Sequence, residues 1–507
     1  MSRRSLALAV VAASAQISAL QIPLQPIADL QQPLASSGSL QPIDSESLQD
    51  RIKVENLQRR AESLYEIAKL SEDDWGHPTR VIGSPGHRGT LEYIRNTLAD
   101  LNGYYAVSDQ AFSAVTGNVV ESRLVIGHVV PNSTTAFGLT PPTRHKEPVY
   151  GDLILARGTG CDKDDFSHKT RGNIAIVRRG ECPFGVKSAN AGAAGAKALV
   201  IVSDDDGELH GTLGTPVKSQ VATFGLSKSD GEGFIEQLKD GDKLDAIAYM
   251  NANIDNIKTT NIIAQTAHGD PDNCVLAGGH SDSVAEGPGI NDDGSGSLSI
   301  LEVAVQLSKY RVNNCVRFAW WAAEEEGLLG SDHYAAHLSP EENRKIRVSF
   351  DYDMMASPNF AYQIYNSTND ENPEGSEQIR DLYTSFYTER GLNYTLIPFD
   401  GRSDYVGFIR HGIPAGGIAT GAEGVKTEEE EAMFGGKAGE WYDQCYHQGC
   451  DGLNNLNPTA WEVNTKLIAH SIATYAHSFD GFPERNDDER VSVALAKTKY
   501  RGPKLVI

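Results

Sequence analysis

The sequence is short of positive charge and of long apolar runs. Its 507 residues include 45 Lys and Arg against 68 Asp and Glu, which gives a formal net charge of −23. A surface this acidic repels phosphate backbones, and nucleic acid is therefore excluded as a partner class. Beyond the N-terminus, no segment offers the roughly 20 consecutive apolar residues that a membrane-spanning helix needs. We expect a soluble monomer that binds neither nucleic acid nor membrane.

The N-terminus has the pattern of a secretory signal peptide. Arg3 and Arg4 precede an apolar run from Leu6 to Ala13, and small residues follow it up to Ala19. The run is too short to span a bilayer, which argues against a membrane anchor. We therefore predict a signal peptide over 1–19 and a secreted, extracellular protein. The next residues are rich in Gln, Pro and Ser, and we interpret 20–70 as a pro-segment or N-terminal extension.

Cysteine is scarce, but its even count fits an exported protein. Proximity along the chain pairs the six cysteines as Cys161–Cys182, Cys274–Cys315 and Cys445–Cys450. In an exported eukaryotic protein, Asn-x-Ser/Thr sequons are glycosylation sites in surface loops. The candidate sites are Asn132, Asn366 and Asn393.

Alternating apolar strands and amphipathic helices predict an α/β protein. CVLAGGHSD, CVRFAWWAA and VSFDYDMM have the pattern of buried strands, and 87–102 and 295–310 have helical spacing of apolar residues. Such alternation is typical of a mostly parallel mixed sheet flanked by helices. Residues 126–254 instead form short β-runs broken by Gly, Asp and Pro. We predict a discontinuous α/β domain over 71–125 and 255–484, an inserted mainly-β domain over 126–254, and a C-terminal tail over 485–507.

Charged side chains follow the predicted strands at the points where the strands end. In sheets of this kind, ligands bind beyond the carboxyl ends of the strands. A late loop between two cysteines adds a tyrosine and a histidine. The residues at these positions are His280, Asp282, Asp292, Asp293, Glu324, Glu325, Asp353, Tyr446 and His447. The sequence therefore predicts a site at one edge of the sheet.

Each of these residues can have an ordinary structural role when it is considered alone. Asp292 and Asp293 can cap the helix that follows them, and the acids from Glu324 onward can form a solvated first turn. A lone histidine is more often a core or surface residue than a ligand. A shared polycation, however, accounts in one step for every acid cluster that follows a buried strand. Mixed His, Asp and Glu ligation favours Zn²⁺, with Mn²⁺ or Co²⁺ as alternatives, and five ligands exceed one tetrahedral site. We therefore predict two metal ions per chain.

Five motifs resemble the zinc-dependent aminopeptidases of the M28 type. In family order they are GGHSDSVAEGPGINDDGSGS, WWAAEEEGLLGS, DYDMMASPN, GRSDY and CYHQGCD. In the inserted block, RRGECPFGVKSANAGAAGAKALVI resembles a protease-associated (PA) domain. The combination is similar to the secreted fungal-type leucine aminopeptidases. It implies a zinc exopeptidase fold with a PA domain inserted at 126–254.

The resemblance also implies roles for individual residues. The implied ligands are His280 and Asp353 for one zinc ion, Glu325 and His447 for the other, and Asp292 as the bridge between them. Glu324 matches the family's general base, and Tyr446 matches the tyrosine that donates a hydrogen bond to the oxyanion. The free amine of the substrate is expected to contact Glu324, Asp353 and the backbone carbonyl of Arg402.

Three further residues around the motifs have less specific expectations. We expect Asp282 to accept the second ring N–H of His280, which would fix the tautomer of the ligand. Met354 either lines a pocket for an apolar first side chain or packs in the core. Glu326 has no motif role, and we expect it to be a solvated turn residue.

We therefore expect a metallo-aminopeptidase that releases apolar, leucine-like N-terminal residues from peptides by water activated between two zinc ions. A dizinc carboxypeptidase on the same scaffold is one alternative, and it would need a cation for the substrate carboxylate, for which Arg402 is the candidate. A single-zinc acyl cyclase is a further relative of the scaffold, which the presence of both ligand sets disfavours. A non-catalytic binding protein of the transferrin-receptor type is the alternative from another class, although a pure binder has no reason to retain all ligands together with Glu324.

Overall fold

A computed structural model describes residues 40–485, except for residues 181, 205, 210 and 400. The predicted signal peptide, residues 20–39 of the predicted pro-segment and residues 486–507 of the predicted tail lie outside the described residues. The helices are α1 (Ser45–Arg51), α2 (Val54–Ala68), α3 (Glu72–Trp75), α4 (Pro85–Ala99), α5 (Phe184–Ala193), α6 (Lys228–Asp240), α7 (Gly294–Leu307), α8 (Leu329–Ala336), α9 (Pro340–Lys345), α10 (Ser376–Glu389), α11 (Tyr405–Arg410), α12 (Glu428–Phe434) and α13 (Pro458–His477). The strands are β1 (Gln41–Pro42), β2 (Tyr105–Ile126), β3 (Thr135–Ala136), β4 (Val149–Leu155), β5 (Ile174–Arg178), β6 (Ala198–Val202), β7 (Ala222–Leu226), β8 (Asp245–Thr266), β9 (Asp270–His280), β10 (Tyr310–Arg311), β11 (Asn314–Trp321), β12 (Ile346–Tyr352), β13 (Gln363–Tyr365), β14 (Thr395–Ile397) and β15 (Ala415–Ala419).

The predicted mixed, mostly parallel sheet is confirmed. Its central strand β9 pairs in parallel with β11 on one side and with β12 on the other, and β12 pairs in parallel with β15. Strands β8 and β13 join this group in antiparallel orientation. His280 and Trp321 are partners at the ends of β9 and β11. The carboxyl ends of the central strands therefore meet at one edge of the sheet.

Helices cover this sheet because their apolar stripes need a partner surface. Helix α7 begins where Asp293 caps the Gly296 N–H, and every residue of the helix is buried. It contacts α2, α13 and strand β9. A helix that is buried on all sides belongs to the core. The loop that ends at Asp293 is therefore attached to a fixed core element.

Residues 41–70 are built into the same domain. Strand β1 pairs with β10, and Leu48 and Leu57 are fully buried. Arg60 on α2 forms a buried ion pair with Glu302 on α7, with 2.8 Å between Nη2 and Oε2. The described part of the predicted pro-segment thus contributes to the core of the α/β domain.

The region predicted as an insertion is carried on a two-stranded ribbon. Strands β2 and β8 are each 22 residues long and pair in antiparallel orientation from Tyr105 with Thr266 to Ile126 with Ala246. Beyond them, β4, β5, β6 and β7 form a parallel group that packs with α6 around buried residues such as Val200 and Phe224. Strand β8 of the ribbon also pairs with β11, which connects this group to the strands around β9.

The six cysteines form the three expected disulfides, Cys161–Cys182, Cys274–Cys315 and Cys445–Cys450. All three sequon asparagines, Asn132, Asn366 and Asn393, are exposed, although the Asn393 amide donates a hydrogen bond to the Met433 carbonyl. Over residues 40–485, no helix combines the length and apolarity that crossing a membrane requires.

Candidate active site

Five side chains that the sequence predicts as metal ligands converge at the carboxyl edge of the sheet. His280 ends β9, Asp292 precedes α7, Glu325 follows β11, Asp353 follows β12, and His447 lies in the loop closed by the Cys445–Cys450 disulfide. Because parallel strands end at the same edge, residues far apart in the chain become neighbours.

The Asp292 carboxylate lies between the two histidines. Its Oδ1 is 3.3 Å from His280 Nε2, and its Oδ2 is 3.2 Å from His447 Nε2. Glu325 Oε2 is 3.1 Å from the same His447 nitrogen, and Asp353 Oδ1 is 3.8 Å from His280 Nε2. The five side chains therefore form two ligand groups that share one carboxylate.

Several of these polar atoms are short of partners. Within the described part of the chain, both ring nitrogens of His280, Oε1 of Glu325 and Oδ1 of Asp353 are buried without a hydrogen bond. His280, Asp292 and Glu325 place ligand atoms within 4.8 Å of one another, and so do His280, Glu324 and Asp353. Buried polar atoms without partners are costly unless a ligand satisfies them. Imidazole and carboxylate donors in this arrangement fit Zn²⁺.

The shifted pKa values at the site of the metal-free chain show that acidic groups outnumber positive charges there. Burial lowers the pKa of His280, but the facing carboxylates of Glu324 and Asp292 outweigh burial and hold that pKa well above its ordinary value. Burial raises the pKa of Glu324 well above its ordinary value, despite the attraction of His280. A cluster in which imidazoles gain protons and a carboxyl group retains one lacks positive charge, which a divalent cation would supply.

Asp293 joins the segments that carry the ligands. Its carboxylate accepts hydrogen bonds from the backbone N–H groups of His280 at 3.0 Å, Gly296 at 2.9 Å and Met354 at 3.1 Å. The sequence indicated only that Asp293 caps the helix. In the structure it also fixes the ends of β9 and β12 relative to α7, and therefore the positions of His280 and Asp353.

The expected hydrogen bond between His280 and Asp282 is not formed, because His280 Nδ1 lies 3.8 Å from Asp282 Oδ1. The Asp282 carboxylate instead accepts from the backbone N–H groups of Glu324 and Glu325, each at 3.4 Å. This fully buried aspartate therefore holds the backbone that carries the two acids.

The expectation that Glu326 is solvated is wrong. Its Oε1 accepts a hydrogen bond from Thr116 Oγ1 at 3.3 Å, and, among the described residues, its buried Oε2 has no partner. The physical reason is that the β2–β8 ribbon passes over this turn. Phe112 and Ala114 of the ribbon pack against Ala322 and Ala323, which precede the acids.

Tyr446 and Arg402 meet at the mouth of the site. The Tyr446 ring stacks on the His447 ring with 3.8 Å between the centroids. Arg402 Nη2 donates to the Tyr446 hydroxyl oxygen at 3.4 Å and pairs with Glu423, whose Oε1 is 3.0 Å away. For the aminopeptidase, the motifs predicted a role for the Arg402 carbonyl only. The guanidinium was a candidate only in the carboxypeptidase alternative, and Glu423 was not predicted at all.

Met354 is 6% exposed, so its side chain is largely enclosed. Its backbone adopts a left-handed conformation with φ of 56°, as do Ala323 at 62° and His447 at 58°. Non-glycine residues in this region are strained by order 1–3 kcal/mol and concentrate at functional sites. Each of these three residues lies next to, or is, a predicted ligand or general base.

A buried polar network behind the site was not predicted from the sequence. Asp451 accepts from the backbone N–H groups of Asn291 at 2.9 Å and Asp292 at 3.0 Å. The Asn455 amide donates to both Asp451 and Asp443. Because Asp451 directly follows Cys450, this network ties the loop of His447 to the loop of Asp292. In the sequence, only Asp451, the last residue of the CYHQGCD motif, could have indicated this network.

Comparisons with known proteins agree with this geometry. The family description Peptidase family M28 matches residues 261–472, and the description PA domain matches residues 149–234. Aminopeptidase Y of Saccharomyces cerevisiae is 49% identical over 92% of this chain and 87% of its own length. Leucine aminopeptidase 2 of Trichophyton tonsurans is 39% identical over 91% of this chain and 92% of its own length.

Solved structures give a similar result. The aminopeptidase from Aneurinibacillus sp. strain AM-1 superposes with a TM-score of 0.70 at 27% identity, over 87% of this chain and 98% of the other. A zinc aminopeptidase from Bacillus subtilis has a TM-score of 0.60 at 25% identity, with the same coverage of both chains.

Proposed function

Because the chain belongs to peptidase family M28 and is a zinc-dependent aminopeptidase, we propose a specific reaction for it. The enzyme binds two zinc ions and releases apolar, leucine-like residues from peptide N-termini. The observation that carries the proposal is the pair of ligand groups that share Asp292, with one carboxylate oxygen near each histidine. His280 and Asp353 would hold one ion, and Glu325 and His447 the other. The apolar preference is supported by the name of the leucine aminopeptidase relative.

Glu324 is the proposed general base. Two zinc ions bound at this site would lower the pKa of a nearby water and polarise the substrate carbonyl. Glu324 Oε2 lies 3.9 Å from His280 Nε2, so the carboxylate faces the ligand cluster. From there it takes the proton of the attacking water and delivers it to the amine that leaves.

Tyr446 and the backbone near Arg402 are proposed to orient the substrate. The Tyr446 hydroxyl donates a hydrogen bond to the oxygen that becomes negatively charged in the transition state. The free N-terminal amine binds Glu324, Asp353 and the Arg402 carbonyl, which restricts cleavage to the first peptide bond. A guanidinium already paired with Glu423 is a weak candidate for binding a substrate carboxylate, which disfavours the carboxypeptidase alternative. The name aminopeptidase on the relatives disfavours the non-catalytic alternative.

We also propose that the chain is exported and that processing removes only residues before residue 40. Removing 20–70 as a whole would expose the surface that Leu48 and Leu57 cover and would leave Glu302 without Arg60. N-terminal sequencing of the secreted enzyme tests this proposal. A mature N-terminus after residue 40 would contradict it.

The inserted domain is proposed to limit access of long peptides to the site. Deleting 127–244 and closing the ribbon with a short turn would keep Phe112, Ala114 and Thr116 against the acid turn. We expect unchanged turnover of leucine p-nitroanilide and faster release of N-terminal residues from long peptides. An unchanged preference among peptides of different length contradicts this role.

The central test compares leucine p-nitroanilide with its N-acetylated form. The free amine is expected to be required, so the acetylated substrate should be left intact. A chelator should abolish turnover, and titrating zinc back should restore it at two equivalents per chain, measured by elemental analysis. Full activity at one equivalent would contradict the two-zinc proposal, and absence of turnover in the zinc-loaded enzyme would contradict the catalytic proposal.

A further inference from the structure

Three separate loops meet near the hydroxyl of Tyr446. Arg402 lies in the loop before α11, Glu423 in the loop after β15, and Tyr446 in the disulfide loop. The Arg402 and Glu423 side chains are only 28% and 22% exposed. Arg402 Nη2 donates to Glu423 Oε2 at 3.1 Å and to the Tyr446 hydroxyl oxygen at 3.4 Å. One guanidinium nitrogen therefore links an acid to the proposed oxyanion donor.

We propose that Arg402, held in place by Glu423, is a positioning residue that directs the hydroxyl proton of Tyr446 towards the substrate carbonyl. This inference rests on the role proposed above for Tyr446. It assigns a function to the Arg402 guanidinium and to Glu423, neither of which needs to touch the substrate.

The disulfide loop fixes the ring of Tyr446 but not the direction of its hydroxyl proton, and Arg402 can control that direction. Stacking on His447 and closure of the loop by the Cys445–Cys450 disulfide hold the Tyr446 ring. Neither of them fixes the hydroxyl proton, which rotates to suit its surroundings. Because a guanidinium has donors and no acceptor, its contact with the phenol oxygen uses a lone pair and leaves the proton to point elsewhere. A cation beside the oxygen also makes the phenol a stronger donor.

Glu423 is needed because the Arg402 guanidinium lies close to other charged groups of the site. Burial raises the pKa of Glu423, but Arg402 outweighs burial and keeps that pKa below its ordinary value. Glu423 is therefore ionised at neutral pH and neutralises Arg402 near the histidines. Without it, the guanidinium would be drawn to the ligand carboxylates or repelled by bound cations. The hydroxyl of Tyr405 supports the same segment by accepting from the backbone N–H of Arg402 at 3.3 Å.

A double-mutant cycle on the zinc-loaded full chain tests the proposal. Tyr446→Phe should lower kcat by about 100-fold. Glu423→Gln, which keeps the size and removes the charge, should lower kcat by about tenfold with KM within about twofold and zinc content unchanged. The combined variant should be no slower than Tyr446→Phe alone. Arg402→Met should resemble Glu423→Gln, and Arg402→Lys should recover part of the lost kcat.

The control is Glu232→Gln in the inserted domain. It removes the charge from another arginine–glutamate pair, Arg178–Glu232, whose side chains are 40% and 28% exposed. Its kinetics should match those of the unmodified enzyme. A slow Tyr446→Phe variant together with normal kcat in Glu423→Gln and Arg402→Met would overturn the positioning role alone. Multiplicative losses in the combined variant would do the same. Normal kcat in Tyr446→Phe would overturn the oxyanion role of Tyr446 itself, and the positioning role with it.

Discussion

Two regions of the α/β domain bury carboxylates, and they balance the charge in opposite ways. Glu302 on α7 accepts hydrogen bonds from Arg60, Asn56 and Gln306, at distances of 2.8–2.9 Å. Arg60 also donates to the Tyr93 hydroxyl. At the active site, the described residues leave both His280 nitrogens and single oxygens of Glu325 and Asp353 without hydrogen bonds. One cluster is complete within the protein, and the other is incomplete without a ligand.

The difference separates a structural use of buried charge from a functional one. A buried ion pair with all hydrogen bonds made fixes two helices relative to each other, and losing one partner leaves a charge in a medium that cannot solvate it. A buried acid cluster that lacks positive charge shifts the pKa values of its members and binds cations. The comparison predicts that changes at the first cluster reduce stability with little effect on turnover, and that changes at the second reduce turnover or metal content.

The largest effect is expected from Glu324→Gln. The amide cannot take the proton of the attacking water, so kcat should fall by about 10²–10⁴-fold. Zinc content should stay the same, because Glu324 is not a proposed ligand. Steady-state kinetics and elemental analysis measure both quantities. Glu326→Gln, two residues along the same turn, is the matched control and should lose less than about tenfold. Similar losses in the two variants would show that charge in the turn matters rather than the base.

His447→Ala should reduce zinc from two ions per chain to one. The histidine is 37% exposed, in contrast to His280 at 1%, so truncation at the mouth removes a ligand without opening the core. Activity should fall by at least 100-fold, since removing a group that acts in the transition state has effects of about that size. An unchanged count of two zinc ions would point to another ligand. His333→Ala, a half-buried histidine on α8, serves as the control and should keep both ions.

At the complete cluster, Glu302→Gln should destabilise the protein by about 3–5 kcal/mol, because Arg60 is left buried without its partner charge. Thermal unfolding should shift to lower temperature, while kcat and zinc content per folded chain stay unchanged. The double variant Arg60→Met/Glu302→Met removes both charges and should recover much of the loss. A lower kcat in folded Glu302→Gln would break the proposed separation between the two clusters.

The same contrast accounts for how much the sequence predicted. Three of the proposed ligands, His280, Glu325 and Asp353, end or follow apolar runs, and parallel strands bring such ends together, so local pattern was enough to predict them as neighbours. Asp292 lies in the glycine-rich loop that leads from β9 into α7. Their chemistry was visible because acids that follow buried strands at one sheet edge are costly to bury unless a cation balances their charge. The family resemblance supplied the roles of Glu324 and Tyr446.

What the sequence did not predict depends on contacts between segments that have no common pattern. Arg60 and Glu302 are 242 residues apart, and each lies in an ordinary amphipathic or apolar helix. Glu326 is half-buried beside a ribbon, and each strand of that ribbon crosses a predicted domain boundary. Asp282 turns towards backbone donors because the acid turn bends back over it. In each case tertiary packing decides the environment, and periodicity carries no information about it.

The smallest effect is expected in the pH dependence of stability after zinc is removed. Burial and the charge of Asp353 raise the pKa of Asp351 from 3.8 to about 7, and burial and Asp443 raise that of Asp451 to about 8. The folded chain therefore binds these protons more tightly than the unfolded chain. Between 3.8 and those values, the free energy of unfolding falls as pH rises, because the unfolded state has already released the protons.

Differential scanning calorimetry of the metal-free enzyme across this range should show an unfolding temperature that declines with increasing pH. With zinc bound, the charge of Asp353 is compensated, so Asp351 loses one cause of its raised pKa and the decline should be shallower. Asp351→Asn should flatten the metal-free profile further. Glu302→Gln should lower the curve without changing its slope above about pH 6, because the pKa of Glu302 lies below its ordinary value of 4.5 and the carboxylate is ionised there in both the folded and the unfolded state. Equal slopes with and without zinc would mean that the acid surplus at the site is not relieved by the metal, and the contrast between the two clusters would then lose its electrostatic basis.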